Sequence, residues 1–252
     1  MSTLIVGDLH AKGDLLPLVS TTADRTGVDR IILLGDYCDD WTLSNNGLER
    51  FLDRFRDWIH HEPREIIPIL GNHDIPYLLN HGSDSYDRVR RLAPGYKPGA
   101  HRHAHDILTG LPCRLAWTDG EVICTHAGLT RGWEREHGLE HATVGEIADW
   151  LDRRLDHAAS LAALWLEIGS ARGGDTIPGP LWADRMELMA DGDDCLTQVV
   201  GHTPIPSITN LHGFWFCDTM SRLPDGTPIG DQSMLLYDGH GGFTPVRPYG
   251  DA

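Results

Sequence analysis

Residues 4–10 read Leu4-Ile5-Val6-Gly7-Asp8-Leu9-His10, and the same grammar returns in Ile31-Ile32-Leu33-Leu34-Gly35-Asp36-Tyr37-Cys38-Asp39 and in Ile66-Ile67-Pro68-Ile69-Leu70-Gly71-Asn72-His73-Asp74. Each begins as a short aliphatic run, stops at a glycine, and continues at once with acids, amides or imidazoles. A short apolar run bounded by turn residues reads as a buried strand. The glycine lets the backbone turn sharply there, so each strand delivers polar groups at its C-terminal end. Working outward, residues 115–117, 121–125, 198–200, 214–217 and 234–237 read as further strands. Pro68 loosens the expected register of the third strand. Leu48, Phe51, Leu52, Phe55, Trp58 and Ile59 recur at helical spacing, with Asn46 and Glu49 as a capping pair at the start. A second helix is expected from Thr143, capped with Glu146, carrying Ile147, Trp150, Leu151, Leu155, Ala158, Leu161 and Trp165 on one face. Residues 80–110 and 169–180 are expected to be irregular excursions. Strand and helix alternating, followed mostly by strands, predicts an α/β (α+β) class, with residues 1–252 as a single domain and no internal repeat.

At 252 residues and 28.0 kDa, such a chain buries roughly 70–75% of its unfolded surface. The 40% hydrophobic and 23% charged content is that of a globular protein, and no apolar run nears the ~18 residues of a membrane span. Lys and Arg total 21 against 37 Asp and Glu, a net charge of −16. That charge repels nucleic acid and anionic lipid, so general nucleic-acid binding and membrane partners are not expected. Five cysteines, odd in number and without a C-x-x-C pair, read as reduced core thiols. With no leader signal in the first residues, a cytoplasmic location is expected. The eight tryptophans read as core anchors.

Two more polar loops follow strands: Thr125-His126-Ala127-Gly128 and Gly201-His202-Thr203-Pro204. Carboxylate, imidazole and amide donors together suit Mn, Fe or Zn, and two such ions ~3.5–4 Å apart can share a carboxylate in a hydrolytic site.

The five motifs GDLH, GDYCDDW, GNHD, THAG and GHTP, in that order over residues 7–204, resemble the calcineurin-like metallophosphoesterase superfamily. Within it the chain resembles the bacterial and phage phosphoprotein phosphatase (serine/threonine phosphatase) branch. GPLWAD and Cys217-Asp218-Thr219 are similar to two later family segments. The resemblance implies a central β-sandwich flanked by helices and two divalent metal ions, Mn by family habit, with Fe or Zn compatible. Asp8 and His10 would hold the first metal, Asp36 would bridge, and Asn72, His126 and His202 would complete the second. Pro204 stands where many relatives have a further histidine, leaving the first metal three protein ligands. His73 would be the general acid, oriented by Asp39. An imidazole paired with a carboxylate keeps its proton near neutral pH, so the residues agree with that role. The implied reaction is hydrolysis of a phosphomonoester by a hydroxide held on the metal pair, with no phosphoenzyme. The expected substrate is a phosphorylated protein or small phosphate ester, with serine/threonine phosphoprotein first.

One departure bears on substrate binding. Asp40 and Trp41 stand where the family pattern has Arg and Gly, and a carboxylate repels phosphate. Arg172 and Arg185 are the expected replacements, ahead of the Arg88, Arg90 and Arg91 group. Trp41 is placed to pack on an aromatic or nucleoside group. A diadenosine tetraphosphatase-like nucleotide hydrolase and a phosphodiesterase are the alternatives. A non-catalytic, metal-structured binding protein is the reading from another class, opposed by the complete ligand set and His73. The histidines at 101, 103 and 105, and the His137 and His141 pair, read as solvated positions before metal sites.

Overall fold

The aliphatic runs are continuous because both faces of their strands are buried, as parallel pairing between layers requires. Strand β1 (Thr3–Val6) points Leu4 and Val6 toward helices and Ile5 toward a second sheet. Strands β2 (Arg30–Leu33) and β3 (Glu65–Pro68) repeat the division, with Ile31, Leu33 and Ile66 on one side and Ile32 and Ile67 on the other. The three pair in parallel, Leu4 beside Ile31 and Ile31 beside Ile66. Pro68 sits on β3 at the sheet edge, where its missing N–H is tolerated. The structure is a computed structural model and describes residues 1–249.

Strands β4 (Ala116–Thr118), β5 (Val122–Thr125), β6 (Thr197–Val200), β7 (Thr209–Leu211) and β8 (Phe214–Phe216) form a second sheet in the order β4-β5-β6-β8-β7. Strands β9 (Met234–Tyr237) and β10 (Phe243–Val246) return to the first, in the order β10-β9-β1-β2-β3. Ile5, Ile32, Ile67 and Leu235 from the first sheet meet Trp117, Cys124, Val199 and Cys217 from the second. Helices α1 (Leu15–Thr26) and α2 (Asn45–His61) contribute to the core on the outer face of the first sheet. These are the two sheets flanked by helices that the sequence led us to expect.

Four local expectations are corrected. Helix α2 is capped by Ser44, whose side chain accepts the Gly47 N–H, so Asn46 lies inside the helix. Residues 80–110 hold two helices: after α3 (Ile75–Leu78) come α4 (Asp84–Leu92), capped by Ser83, and α5 (His101–Thr109). His101, His103 and His105 therefore lie on a helix; His101 Nδ1 meets the Tyr96 hydroxyl at 2.7 Å and His103 Nε2 meets Asp53 at 3.2 Å. After α6 (Arg131–Glu136), the capping box of Thr143 and Glu146 opens α7 (Val144–Asp152) as expected, but that helix does not continue to Trp165. The Asp152 carboxylate accepts the Leu115 N–H at 2.7 Å, the chain turns, and α8 (Ala158–Trp165) starts anew. Strands β7 and β10 were not expected, because as exposed edges they carry little apolar signal. Helix α9 (Arg185–Asp191) lays Leu188 against Val200, Phe214 and Phe216. The five cysteines are free, and among the described residues no helix is long and apolar enough to cross a membrane.

Candidate active site

The loops after β1, β2, β3, β5 and β6 converge at one end of the sandwich, so both sheets supply the site. Close approach explains two of the glycines. A Cβ on Gly71 would collide with the Asp36 carboxylate, and one on Gly7 would enter the Cys217 carbonyl, where the sheets meet. Asp74 ties two loops together: its carboxylate accepts the N–H groups of Gly71, Tyr37 and Cys38, each at 2.9 Å. The His73 N–H donates to Asp36 Oδ1 at 3.0 Å, and the His202 N–H to the Asp8 carboxylate at 3.1 Å. His10, Asp36, Asp39 and His202 all adopt left-handed backbone, with φ of 42°, 53°, 65° and 63°. Such conformations cost about 1–3 kcal/mol each and persist where the surroundings fix them.

The side chains named in the sequence analysis come together. His126 donates its Nδ1 proton to the Leu34 carbonyl at 2.8 Å, which leaves Nε2 a bare lone pair. That lone pair faces Asn72 Oδ1 at 2.9 Å, His202 Nδ1 at 3.1 Å and Asp36 Oδ2 at 3.6 Å. His10 Nδ1 likewise meets the Asp39 carbonyl at 3.1 Å, turning Nε2 toward Asp36 at 3.7 Å and Asp8 at 4.0 Å. A proton on His202 would satisfy one of these contacts. Cations satisfy all of them, and the carboxylate, imidazole and amide set is the one that divalent metals take.

Electrostatics agree with that fit. Burial pushes the His10 imidazole down to about 4, and burial also lowers His126 and His202, so all three are neutral near pH 7, the form in which an imidazole can take a metal. Burial opposes ionisation of Asp36, but the positive charge that His126, His73, His10 and His202 take up in acid outweighs it and holds Asp36 below the usual carboxylate range. Asp8 is raised by burial and by the charges of Asp218 and Asp36. His73 is disfavoured by burial yet raised overall by Asp36 and Asp39. Its Nδ1 lies 3.6 Å from Asp39 Oδ2, and both atoms are buried without another partner.

His10, Asp36, Asp39, Asn72, His73 and His202 floor a cavity of about 370 Å³. Arg172 lines it, held by Asp184 at 3.0 Å and by Thr203 Oγ1 at 3.1 Å. Arg185 does not line it; the residue opens α9, and its backbone N–H donates to Thr203 Oγ1 at 3.3 Å. Arg88, Arg90 and Arg91 lie exposed on α4. Asp40 does face the cavity, but its charge is met by Lys12 Nζ at 3.5 Å and its Oδ1 accepts from Thr42. Trp41 stands at the mouth, 69% exposed. The sequence reading missed Lys12 and Arg222, both on the cavity wall. Lys12 lies two residues beyond His10, a spacing that was legible; Arg222 comes from the β8–β9 connection, three residues past the Cys217-Asp218-Thr219 segment, which pointed to no arginine. His137 Nε2 bonds Glu167 at 3.0 Å, away from this site.

A family model described as calcineurin-like phosphoesterase matches residues 1–219. The chain belongs to that family. This phosphoesterase is accordingly a metal-dependent hydrolase of phosphoric esters, in a family that works with two divalent ions. No curated protein matches the chain. Among solved structures, the cold-active protein-tyrosine phosphatase of a psychrophilic Shewanella species is similar at 16% identity and a TM-score of 0.56, covering 97% of this chain and 80% of that one. A second structure of a cold-active protein tyrosine phosphatase is similar at 15% identity and a TM-score of 0.54, covering 100% and 80%. At such identities the likeness is one of fold.

Proposed function

We propose that this phosphoesterase is a phosphomonoesterase of phosphorylated protein side chains, serine and threonine first. The observation that carries the reading is the convergence of Asp36, Asn72, His126 and His202 acceptor atoms beside an imidazole already facing a carboxylate, His73 and Asp39. Asp8 and His10 would hold one ion, Asn72, His126 and His202 the other, with Asp36 between them; Mn²⁺ is the proposed pair, with Fe or Zn²⁺ as alternatives. Bound there, the ions supply Lewis acidity that activates water and offsets charge on phosphoryl oxygens. The protein's part is to orient and protonate. His73 gives its proton to the departing oxygen, Asp39 fixes the ring, and Arg172 and Arg222 hold the phosphoryl oxygens from the cavity walls. Lys12 cancels the Asp40 charge that would oppose them.

Trp41 at the mouth favours a second reading, a nucleoside polyphosphate substrate whose base stacks there. Turnover of a phosphoserine peptide, a phosphotyrosine peptide, diadenosine tetraphosphate and bis-p-nitrophenyl phosphate by Mn²⁺-loaded protein, with His73→Asn as blank, separates the readings. Dominant turnover of the phosphoserine peptide, absent in the blank, is expected. The phosphotyrosine peptide is included because the fold relatives carry that activity in their names. Preference for diadenosine tetraphosphate or the diester would overturn the protein-substrate assignment.

A further inference from the structure

The environment of Asp39 is more elaborate than holding a single imidazole needs. Its Oδ1 accepts the Tyr77 hydroxyl at 2.6 Å and lies 3.7 Å from Lys97 Nζ. The Tyr77 oxygen in turn accepts the backbone N–H of Lys97 at 2.9 Å. That contact fixes the direction of the chain, because Tyr77 receives from Lys97 and must point its own proton at Asp39. Lys97 is a buried lysine, anchored through Nζ to the carbonyls of Asp40 at 2.8 Å and Gly95 at 3.0 Å. With Oδ1 fully engaged, Oδ2 is left aimed at His73 Nδ1, and neither atom has another partner. A buried lysine and a buried tyrosine are costly unless their polar ends are used; here the tyrosine hydroxyl is spent on Asp39 Oδ1, and the lysine ammonium, held by two carbonyls, sets its charge 3.7 Å from the same oxygen.

We propose that Tyr77 and Lys97 are positioning residues for leaving-group protonation, holding the Asp39 carboxylate so that His73 presents its Nε2 proton to the departing ester oxygen. The inference rests on the proposed role of His73. In the step concerned, a water oxygen bonds to phosphorus as the phosphorus–oxygen bond to the alcohol breaks. The bonding pair leaves with that oxygen, which takes the His73 Nε2 proton. The Nδ1–H stays on the ring, hydrogen-bonded to Asp39 Oδ2, and His73 is later reprotonated from solvent. The 3.6 Å separation would shorten as substrate closes the site, as catalytic hydrogen bonds commonly do.

An alkyl alcohol needs that proton, whereas a dinitrophenolate leaves without one, which separates positioning from general structural damage. Tyr77→Phe keeps the ring that packs on Tyr96 at 4.8 Å between centroids, and Lys97→Met keeps an unbranched apolar stem in case the first variant misfolds. On a phosphoserine peptide kcat is expected to fall about 10-fold or more, within the range of general-acid effects, with little change in KM. On 2,4-dinitrophenyl phosphate the loss should be several times smaller, and His73→Asn should show the same contrast more strongly. Equal losses on both esters in Tyr77→Phe and Lys97→Met, alongside the contrast in His73→Asn, would overturn the positioning role alone. Absence of the contrast in His73→Asn would overturn the acid assignment beneath it.

Discussion

At the scale of single residues, Asp36 is the side chain on which the most depends, since His10, His73, His126 and His202 all surround its carboxylate. Asp36→Asn should lose bound metal and turnover together, measured as metal per chain after desalting and as activity; full activity in that variant would remove it from the centre. The cavity arginines give a second test. Arg172→Ala and Arg222→Ala should each raise KM for a phosphomonoester by about 10-fold, as loss of a charge-assisted contact implies, while Arg185→Ala should leave it unchanged. The acids and imidazoles of the site were legible because each lies within a few residues of a strand end, most of them just after a glycine. Arg222 was not, because its place on the wall is fixed by a turn more than two hundred residues from Asp8. Tyr77 was hidden differently: in sequence it is one more aromatic in a short helix, and only the fold brings its hydroxyl to Asp39.

At the scale of elements, the caps and braces carry measurable energy. Thr143→Ala removes the capping box of α7 and should cost about 1 kcal/mol in denaturant unfolding, with activity retained. Asp74→Ala strands three buried backbone N–H groups at about 1–3 kcal/mol each; it should destabilise far more than Thr143→Ala and also reduce activity, because it frees two site loops at once. The inner strands could be read from sequence since burial on both faces leaves an unbroken aliphatic run. The edges β7 and β10 could not, because one-sided exposure erases that run. Helical spacing persisted through residues 152–157 although the chain turns there. Periodicity records which side chains are apolar, whereas the break is made by Asp152 reaching to the backbone of Leu115, a contact outside any local window.

At the scale of the molecule, loops from two sheets meet at one centre, so metal should stabilise the whole fold. Chelation should lower Tm, and Mn²⁺ should restore it. A hundredfold excess over Kd is worth about 2.7 kcal/mol, or about 5–10 °C at this size. Stability should also depend on pH through Glu134, buried in α6 and raised to about 7 by burial and by Asp193. The folded protein holds a proton there that the unfolded chain releases, so this stabilisation is complete in acid and is lost as pH rises through about 7. Thermal melts should therefore show Glu134→Gln gaining on wild type near pH 8, with the two converging near pH 5. One topological feature bears on how the chain is made. Strand β1 lies between β2 and β9, with Leu4 opposite both Ile31 and Leu236. During synthesis β1 and β2 can pair as soon as both are made, while the other flank of β1 waits for β9, about two hundred residues further along the chain than β2. A ribosome-bound chain thus carries an open strand edge and an incomplete sandwich, which invites pairing with a neighbouring nascent chain. Withholding β9 by stalling translation before residue 234 should therefore yield an aggregation-prone, chaperone-dependent product.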